Sequence, residues 1–243
     1  LKVVDFGWAW AGAVVGSILA DFGADVVKVE SRRRLDPMRM DRGLLDPDNG
    51  LEQGGLHHNV NRNKRSLAVD ITQPEGAEIV RRLAASADVL IENLSPGTLE
   101  RHGLGYEALR SENPGLVYLS LAAAGREGPL AGIRAYAPVV TALAGVDELV
   151  GYPGGPALGL QHGMADPNAA LHGAAAVLAA LVERERSGLG QLIDLSQVES
   201  MASLIGGQLV AAQRGAPQTR AGNRDSWMAP HGVYPAAGDD RWV

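Results

Sequence analysis

No cysteine occurs among the 243 residues, which excludes a disulfide framework, thiolate metal sites and a cysteine nucleophile. Chemistry must come from carboxylates, histidines, hydroxyls and bases. Aromatic residues make up only 5 %, against 31 glycines and abundant alanine, so the core relies on close contact between helices and sheet. No stretch approaches the roughly 18 uninterrupted apolar residues of a membrane span, and the N-terminus lacks the basic-then-apolar pattern of a secretory signal. A cytoplasmic location with no membrane partner is the expectation. His57, His58 and His172 lack metal-ligand spacing, so no metal is expected. The net charge of −6 argues against nonspecific nucleic-acid binding.

What is present reads as an ordinary globular chain: 46 % hydrophobic and 21 % charged. The length suits one large α/β domain, or one domain with part of a second. "KVVDF" (2–6), "DVVKVE" (25–30), "RSLAVDI" (65–71), "DVLIEN" (88–93), "GLVYLSL" (115–121) and "GQLIDLS" (190–196) read as strands. Helical patterns fall between several of them: residues 11–23, closed by Gly23 in a left-handed position, and 74–86, opened by Pro74 and Glu75. Two long helices follow, at 167–186 and 196–214. Alternating strands and helices imply right-handed crossovers and a mostly parallel sheet flanked by helices, a Rossmann-like α/β fold. Ligands bind such sheets beyond the C-terminal strand ends, which directs attention to residues 7–12, 30–42, 93–101, 122–136 and 161–168.

Composition shifts after 214. Residues 1–214 read as the large domain, 215–230 as a linker, and 231–243 as the beginning of a small domain with a strand, a Gly-Asp turn and a second strand. The chain starts directly in a strand without methionine, and both ends read as cut from a longer protein.

Residues 31–65 carry Arg32, Arg33, Arg34, Arg39, Arg42, Arg62, Lys64 and Arg65, a local basic cluster that reads either as a solvated loop or as a site for a phosphorylated small ligand. "GWAWAG" (7–12), with Glu30 ending the second strand, is a degenerate dinucleotide fingerprint. Trp8 and Trp10 are bulky where a pyrophosphate would need close backbone approach, so a tight strand-to-helix turn is the better reading.

Taken in order, "VVDFGWAWAGAVVGSILADFGADVVKVES", "NRNKRSLAVDI", "DVLIENLSPGTLERHGLGYEAL", "GLVYLSLAAAGREGPLAGIRAYAPVVTALAG" and "DPNAALHGAAAVLAALVERERSGLGQLIDLSQVESM" resemble the class III CoA-transferases, the CaiB/BaiF family that includes formyl-CoA transferase-like enzymes. The resemblance covers nearly the whole chain. It implies an enzyme that moves CoA from an acyl-CoA to a carboxylic acid, with CoA as substrate and no permanently bound cofactor, working as an interlocked homodimer. It also implies that this chain holds most of the large CoA-binding domain, without the C-terminal return segment or the glycine-rich covering loop.

By the same resemblance the CoA site maps onto Trp10 and Ala11, Val60, Asn61, Arg62, Asn63 and Lys64, Asn93, Leu94 and Ser95, Arg101, and Ile133, Arg134, Ala135 and Tyr136. Ser31 stands where an arginine often follows the acid of the second strand, so Arg32 is the substitute. On position alone Asn93 reads equally as a loop-closing residue, Arg101 as a wet helix face, and Tyr136 as core.

Asp166 precedes Pro167 and a long alanine-rich run. Local physics makes it a helix cap accepting from the amides of Asn168 or Ala169, an environment that keeps the carboxylate ionised. The resemblance makes it the nucleophile. Gln161 and His162 either orient the acceptor acid or belong to an exposed loop. Related α-methylacyl-CoA racemases carry a histidine a few residues before the tyrosine matching Tyr136; here Gly132 occupies that place, which favours transfer. A noncatalytic CoA-binding module is the remaining alternative.

Overall fold

The computed structural model describes residues 1–40, 53–216, 219–225 and 227–243; Arg42 of the basic cluster lies outside them. Six strands form one sheet: β1 (Lys2–Phe6), β2 (Asp25–Glu30), β3 (Arg65–Ala68), β4 (Val89–Glu92), β5 (Val117–Ala122) and β6 (Leu192–Ser196). Their order is β3-β2-β1-β4-β5-β6, every pair parallel. Their β-branched and leucine-rich runs suit strands covered on both faces. The sheet winds outward in both directions from β1, so the crevice lies beyond the ends of β1 and β4.

One face is covered by α1 (Ala11–Asp21) and the 23-residue helix α7 (Ala165–Ser187). Val15 and Leu19 of the first and Ala169, Ala170, Ala174 and Val177 of the second pack on Val3, Ile91, Leu119 and Leu121. Small alanines let α7 lie close to the sheet. Its length and composition would also suffice to cross a membrane, but half of its most apolar stretch is buried inside the fold. The opposite face carries α3 (Pro74–Ala84) and α4 (Tyr106–Glu112), with Val80, Ala84 and Leu109 on Val4, Leu90 and Tyr118. A smaller apolar cluster joins Ala137 and Val140 of α5 (Ala137–Leu143), Val146 of α6 (Val146–Leu149), Ala165, and Met201 of α8 (Gln197–Ala202).

Several boundaries differ from the sequence reading. Strand β3 stops at Ala68 because Asp70 turns on itself, its carboxylate accepting from the Thr72 N–H at 3.0 Å and hydroxyl at 2.7 Å. The helix expected over 196–214 is three pieces: α8, a 3-10 turn at Ser203–Ile205, and α9 (Gly206–Gln213). Ser196 caps α8 by accepting from the Glu199 N–H at 3.2 Å, and the Gly206–Gly207 pair weakens continuity downstream. Residues 231–243 form a single antiparallel bridge between Pro235 and Trp242 instead of two strands; Pro235 has no N–H to extend a ladder. The short helix α2 (Gly55–Asn61) lies where a basic loop was expected.

Candidate active site

Between β1 and α1 the chain turns in four residues, and side chains from β1 itself, from β2 and from the end of β4 hold the turn. Asp5 accepts from the Gly7 N–H at 2.6 Å, and Lys28 Nζ donates to the Gly7 carbonyl at 2.5 Å. Asn93, just past β4, clamps Trp8 on both sides: its Oδ1 accepts from the Trp8 N–H at 2.6 Å and its Nδ2 donates to the Trp8 carbonyl at 2.8 Å. Ala9 is driven to φ +57°, a conformation that costs a non-glycine residue free energy and persists only where neighbours over-determine it. Close approach makes Gly12 necessary, since a Cβ there would lie 2.6 Å from Asn93 Oδ1.

Beneath this turn lies a buried ionic layer. Lys64 Nζ meets Asp5 at 2.7 Å, the Ala13 carbonyl at 2.6 Å and Asn61 Oδ1 at 3.0 Å; Lys28 pairs with Asp36 at 3.1 Å and Arg39 with Glu30 at 2.7 Å. Burial pulls the Lys64 ammonium below its ordinary value, and Asp5 opposes that pull. Such charges are tolerable because each is paired and hydrogen-bonded.

The residues expected as CoA contacts at 60–64 are engaged within the fold. The Lys64 ammonium is enclosed and fully engaged. The Val60 carbonyl accepts from Ser17, Asn61 Nδ2 donates to the His57 carbonyl at 3.1 Å, and both Arg62 and Asn63 hold Asp21, at 3.0 Å and 2.8 Å. The basic cluster is likewise spent on the fold: Arg33 pairs with Asp70 at 3.4 Å, Arg65 with Asp25 at 2.6 Å, and Arg34 stacks 4.6 Å over the Trp8 ring. Arg32 is exposed. Contrary to the sequence reading, His57 does join possible ligand atoms, with Glu30 and Asp36 all within 4.8 Å. Arg39 and Lys28 already neutralise the two carboxylates, and burial, reinforced by the Arg39 charge, holds the imidazole down to about 4.

Asp166 is the second residue of α7 and does not cap it. The cap position is Met164, which makes no side-chain capping bond. The Asp166 carboxylate instead faces the backbone N–H of Ala11, the first residue of α1, and burial lifts it to about 6 although that amide pulls it down. The environment therefore weakens the acid rather than holding it ionised, because desolvation outweighs a single amide donor. Trp10 completes the wall. Its ring lies against Gly163, where a Cβ would approach Trp10 Cζ3 to 2.7 Å and Asp166 Oδ2 to 3.7 Å. Trp10, Ala11, Gly163 and Asp166 thus converge where two helix N-termini meet, placing a desolvated carboxylate beside backbone donors and positive dipole ends.

The other expected residues sit on the rim. Asn93 closes the Trp8 loop, and the Leu94 N–H donates to Glu92 at 2.8 Å. Ser95 is exposed; its carbonyl accepts from the Thr98 N–H at 3.0 Å. Arg101 is exposed on the 3-10 turn Glu100–His102, its guanidinium 3.3 Å from the Thr98 hydroxyl. Ile133 and Ala135 are half-buried and Arg134 is exposed. Tyr136 caps α5 with its side chain 74 % exposed, so it is not core. Gln161 bonds to its own loop at the Gly159 carbonyl, 3.4 Å away, and His162 is exposed. Two cavities, of about 400 Å³ beside Gly222 and His231 and about 240 Å³ beside Lys2 and Arg65, lie away from Asp166.

Sequence reading missed Asp5, Lys28, Asp36 and Glu92, and saw Arg39 only as part of the basic cluster. The signal was present for three of them: Asp5, Lys28 and Glu92 are charges inside otherwise apolar strands, where burial demands a partner.

A family model described as CoA-transferase family III matches residues 1–243. A succinyl-CoA–D-citramalate CoA-transferase of Chloroflexus aurantiacus is 34 % identical over 100 % of this chain and 59 % of its own length. A succinate–glutarate CoA-transferase of Agrobacterium fabrum is 34 % identical over 98 % and 60 %, and a succinyl-CoA:mesaconate CoA-transferase of Haloarcula hispanica 36 % over 98 % and 61 %. The crystal structure of a CaiB/BaiF family protein from Brucella suis superimposes with a TM-score of 0.90 at 34 % identity, covering 100 % of this chain and 64 % of that one. The chain spans 59 to 61 % of the length of these curated relatives.

Proposed function

Because the chain belongs to CoA-transferase family III, we propose that the protein moves CoA from an acyl-CoA thioester to a carboxylic acid through Asp166. The observation that carries this reading is the desolvated Asp166 carboxylate, raised to about 6, facing the Ala11 amide and the Trp10 ring across Gly163. A carboxylate poised near neutrality is ionised at pH 7 and more nucleophilic than a fully solvated one.

The chemistry runs in balanced steps. One Asp166 oxygen attacks the thioester carbonyl, and the C–S bond breaks to give a mixed anhydride and CoA thiolate. The thiolate attacks the aspartyl carbonyl, releasing the donor acid and leaving an aspartyl-CoA thioester. The acceptor carboxylate attacks that thioester, CoA thiolate leaves again, and its attack on the acceptor's carbonyl gives the new acyl-CoA and free Asp166. Each tetrahedral oxyanion forms beside the N-termini of α1 and α7, where amide donors and helix dipoles favour negative charge. Covalent storage of CoA on Asp166 also keeps the thioester from water.

The CoA contacts that this geometry supports are Trp10 and Ala11, Ser95, Arg101 and residues 133–136, with Arg32 at the phosphate end. Residues 60–64 support them from below. Succinyl-CoA is the donor we assign, with a small dicarboxylic acid as acceptor, following the substrates named for the relatives. Incubation of the full-length protein with succinyl-CoA followed by peptide mass spectrometry tests this: a CoA adduct on Asp166 that Asp166→Ala abolishes supports transfer. Tight CoA binding with neither adduct nor exchange identifies a binding module instead.

A further inference from the structure

On the sheet face opposite Asp166, beyond the ends of β4 and β5, one arginine joins four segments. Arg126 lies in the loop that leaves β5 and carries residues 133–136. Its backbone N–H is shared between the two oxygens of Asp194 in β6, at 3.0 Å and 3.1 Å. Its guanidinium donates to Ser120 Oγ of β5 at 3.2 Å, lies 3.6 Å from Glu92 Oε1 of β4, and pairs with Glu100 on the 3-10 turn that bears Arg101. Glu92 in turn accepts from the Ser120 hydroxyl and the Leu94 N–H. A planar fork of five donors suits such a four-way junction; a single ammonium does not.

The two loops that Arg126 joins are those proposed to grip CoA: 93–101, with Ser95 and Arg101, and 123–136, ending in Tyr136. Elsewhere each leans on a different partner: Asn93 holds the Trp8 turn, while Ala135 and α5 pack with α8. The Arg126 junction links the two loops directly.

We propose that Arg126 is a positioning residue, fixing the 93–101 and 123–136 loops relative to each other so that a bound acyl-CoA presents its thioester to Asp166. The role rests on the transferase reading above. It explains why a charged junction is built on the face away from the chemistry, where an apolar patch would have stabilised the fold as well. The groups facing the Glu92 carboxylate are the Ser120 hydroxyl, the Leu94 amide, Arg126 and, more distantly, Glu100; the Tyr118 hydroxyl beneath is buried without a hydrogen-bond partner among the described residues. Burial pushes Glu92 up to about 7, so below neutrality the junction loses one of its anions and the loops loosen.

The experiment compares wild type, Arg126→Gln, Arg126→Lys and Ser120→Ala in the full-length protein. It reads the CoA dissociation constant, kcat and KM with succinyl-CoA, hydrogen exchange of the two loops, and melting temperature. Misplaced loops weaken CoA binding roughly tenfold or more in Arg126→Gln, with faster exchange in 93–101 and 123–136 and unchanged exchange in α7. Arg126→Lys recovers part of the affinity, and Ser120→Ala shows a smaller loss without any change of charge. Unchanged affinity and KM in folded Arg126→Gln overturn the proposal, as does a loss that tracks melting temperature alone. Absence of an Asp166 adduct and of CoA exchange in wild type overturns the transferase reading instead, so the two failures are distinct.

Discussion

The backbone N–H of Ala11, at the start of α1, faces the carboxylate of Asp166, at the start of α7, and lowers its proton affinity. Two helices that pack side by side on one face of the sheet thereby bring their N-termini together around one acid. Desolvation sets that acid's proton affinity, and the amide limits the shift.

Adduct formation should follow ionisation of Asp166. With the carboxyl at about 6 in the free protein, the rate of CoA adduct formation rises as pH increases through 6 and levels off above about 7. Rapid quench at pH 5, 6, 7 and 8 with succinyl-CoA measures it. A rate independent of pH over this range contradicts the assignment.

The same acid makes stability depend on pH. A carboxyl whose folded value is raised favours folding while protonated, so its contribution is fully present below its ordinary value near 4 and is lost as pH rises through 6; for Glu92 the loss continues through 7. At pH 8 Asp166→Asn and Glu92→Gln should each exceed wild type in stability by on the order of 2 kcal/mol, with the gap closing toward pH 4. Urea unfolding at pH 4.5 and 8 gives the comparison.

Lys64 separates a structural role from a ligand role. Its Nζ is committed to Asp5, Ala13 and Asn61, so Lys64→Ala strands a buried carboxylate and should cost about 3–5 kcal/mol. The pair Asp5→Leu with Lys64→Met removes both charges and should restore much of that loss. A Lys64→Ala protein of normal stability that binds CoA poorly would return Lys64 to the ligand.

Gly163→Ala places a methyl 2.7 Å from Trp10 Cζ3. The ring must swing away, altering intrinsic fluorescence and lowering the rate of adduct formation roughly tenfold or more, while far-ultraviolet circular dichroism stays unchanged. Unaltered kinetics would remove Trp10 from the wall around Asp166.

Much of the fold was legible because its strands are short apolar runs separated by helices, and every predicted strand is present. Boundaries failed where side chains rather than periodicity decide them, as at Asp70, which ends β3 early. Helix α2 was hidden because "GLHHNVN" shows no apolar stripe and owes its place to His57 and Val60 packing beneath α1. Within the site, family resemblance singled out Asp166, but not its partner at Ala11 or its raised proton affinity, which depend on contacts distant in sequence. The enclosure of Lys64 was hidden for the same reason: an exposed and a buried lysine look alike in "NRNKRS", and only the facing Asp5 distinguishes them.

Oxygen labelling tests the central claim most directly. If CoA passes through Asp166, the bridging oxygen of the second mixed anhydride comes from the acceptor and stays with the aspartate when CoA leaves on the new product. Turnover with an acceptor acid carrying heavy oxygen in its carboxylate should therefore place heavy oxygen in the Asp166 peptide. CoA exchange that proceeds while Asp166 remains unlabelled would contradict the account.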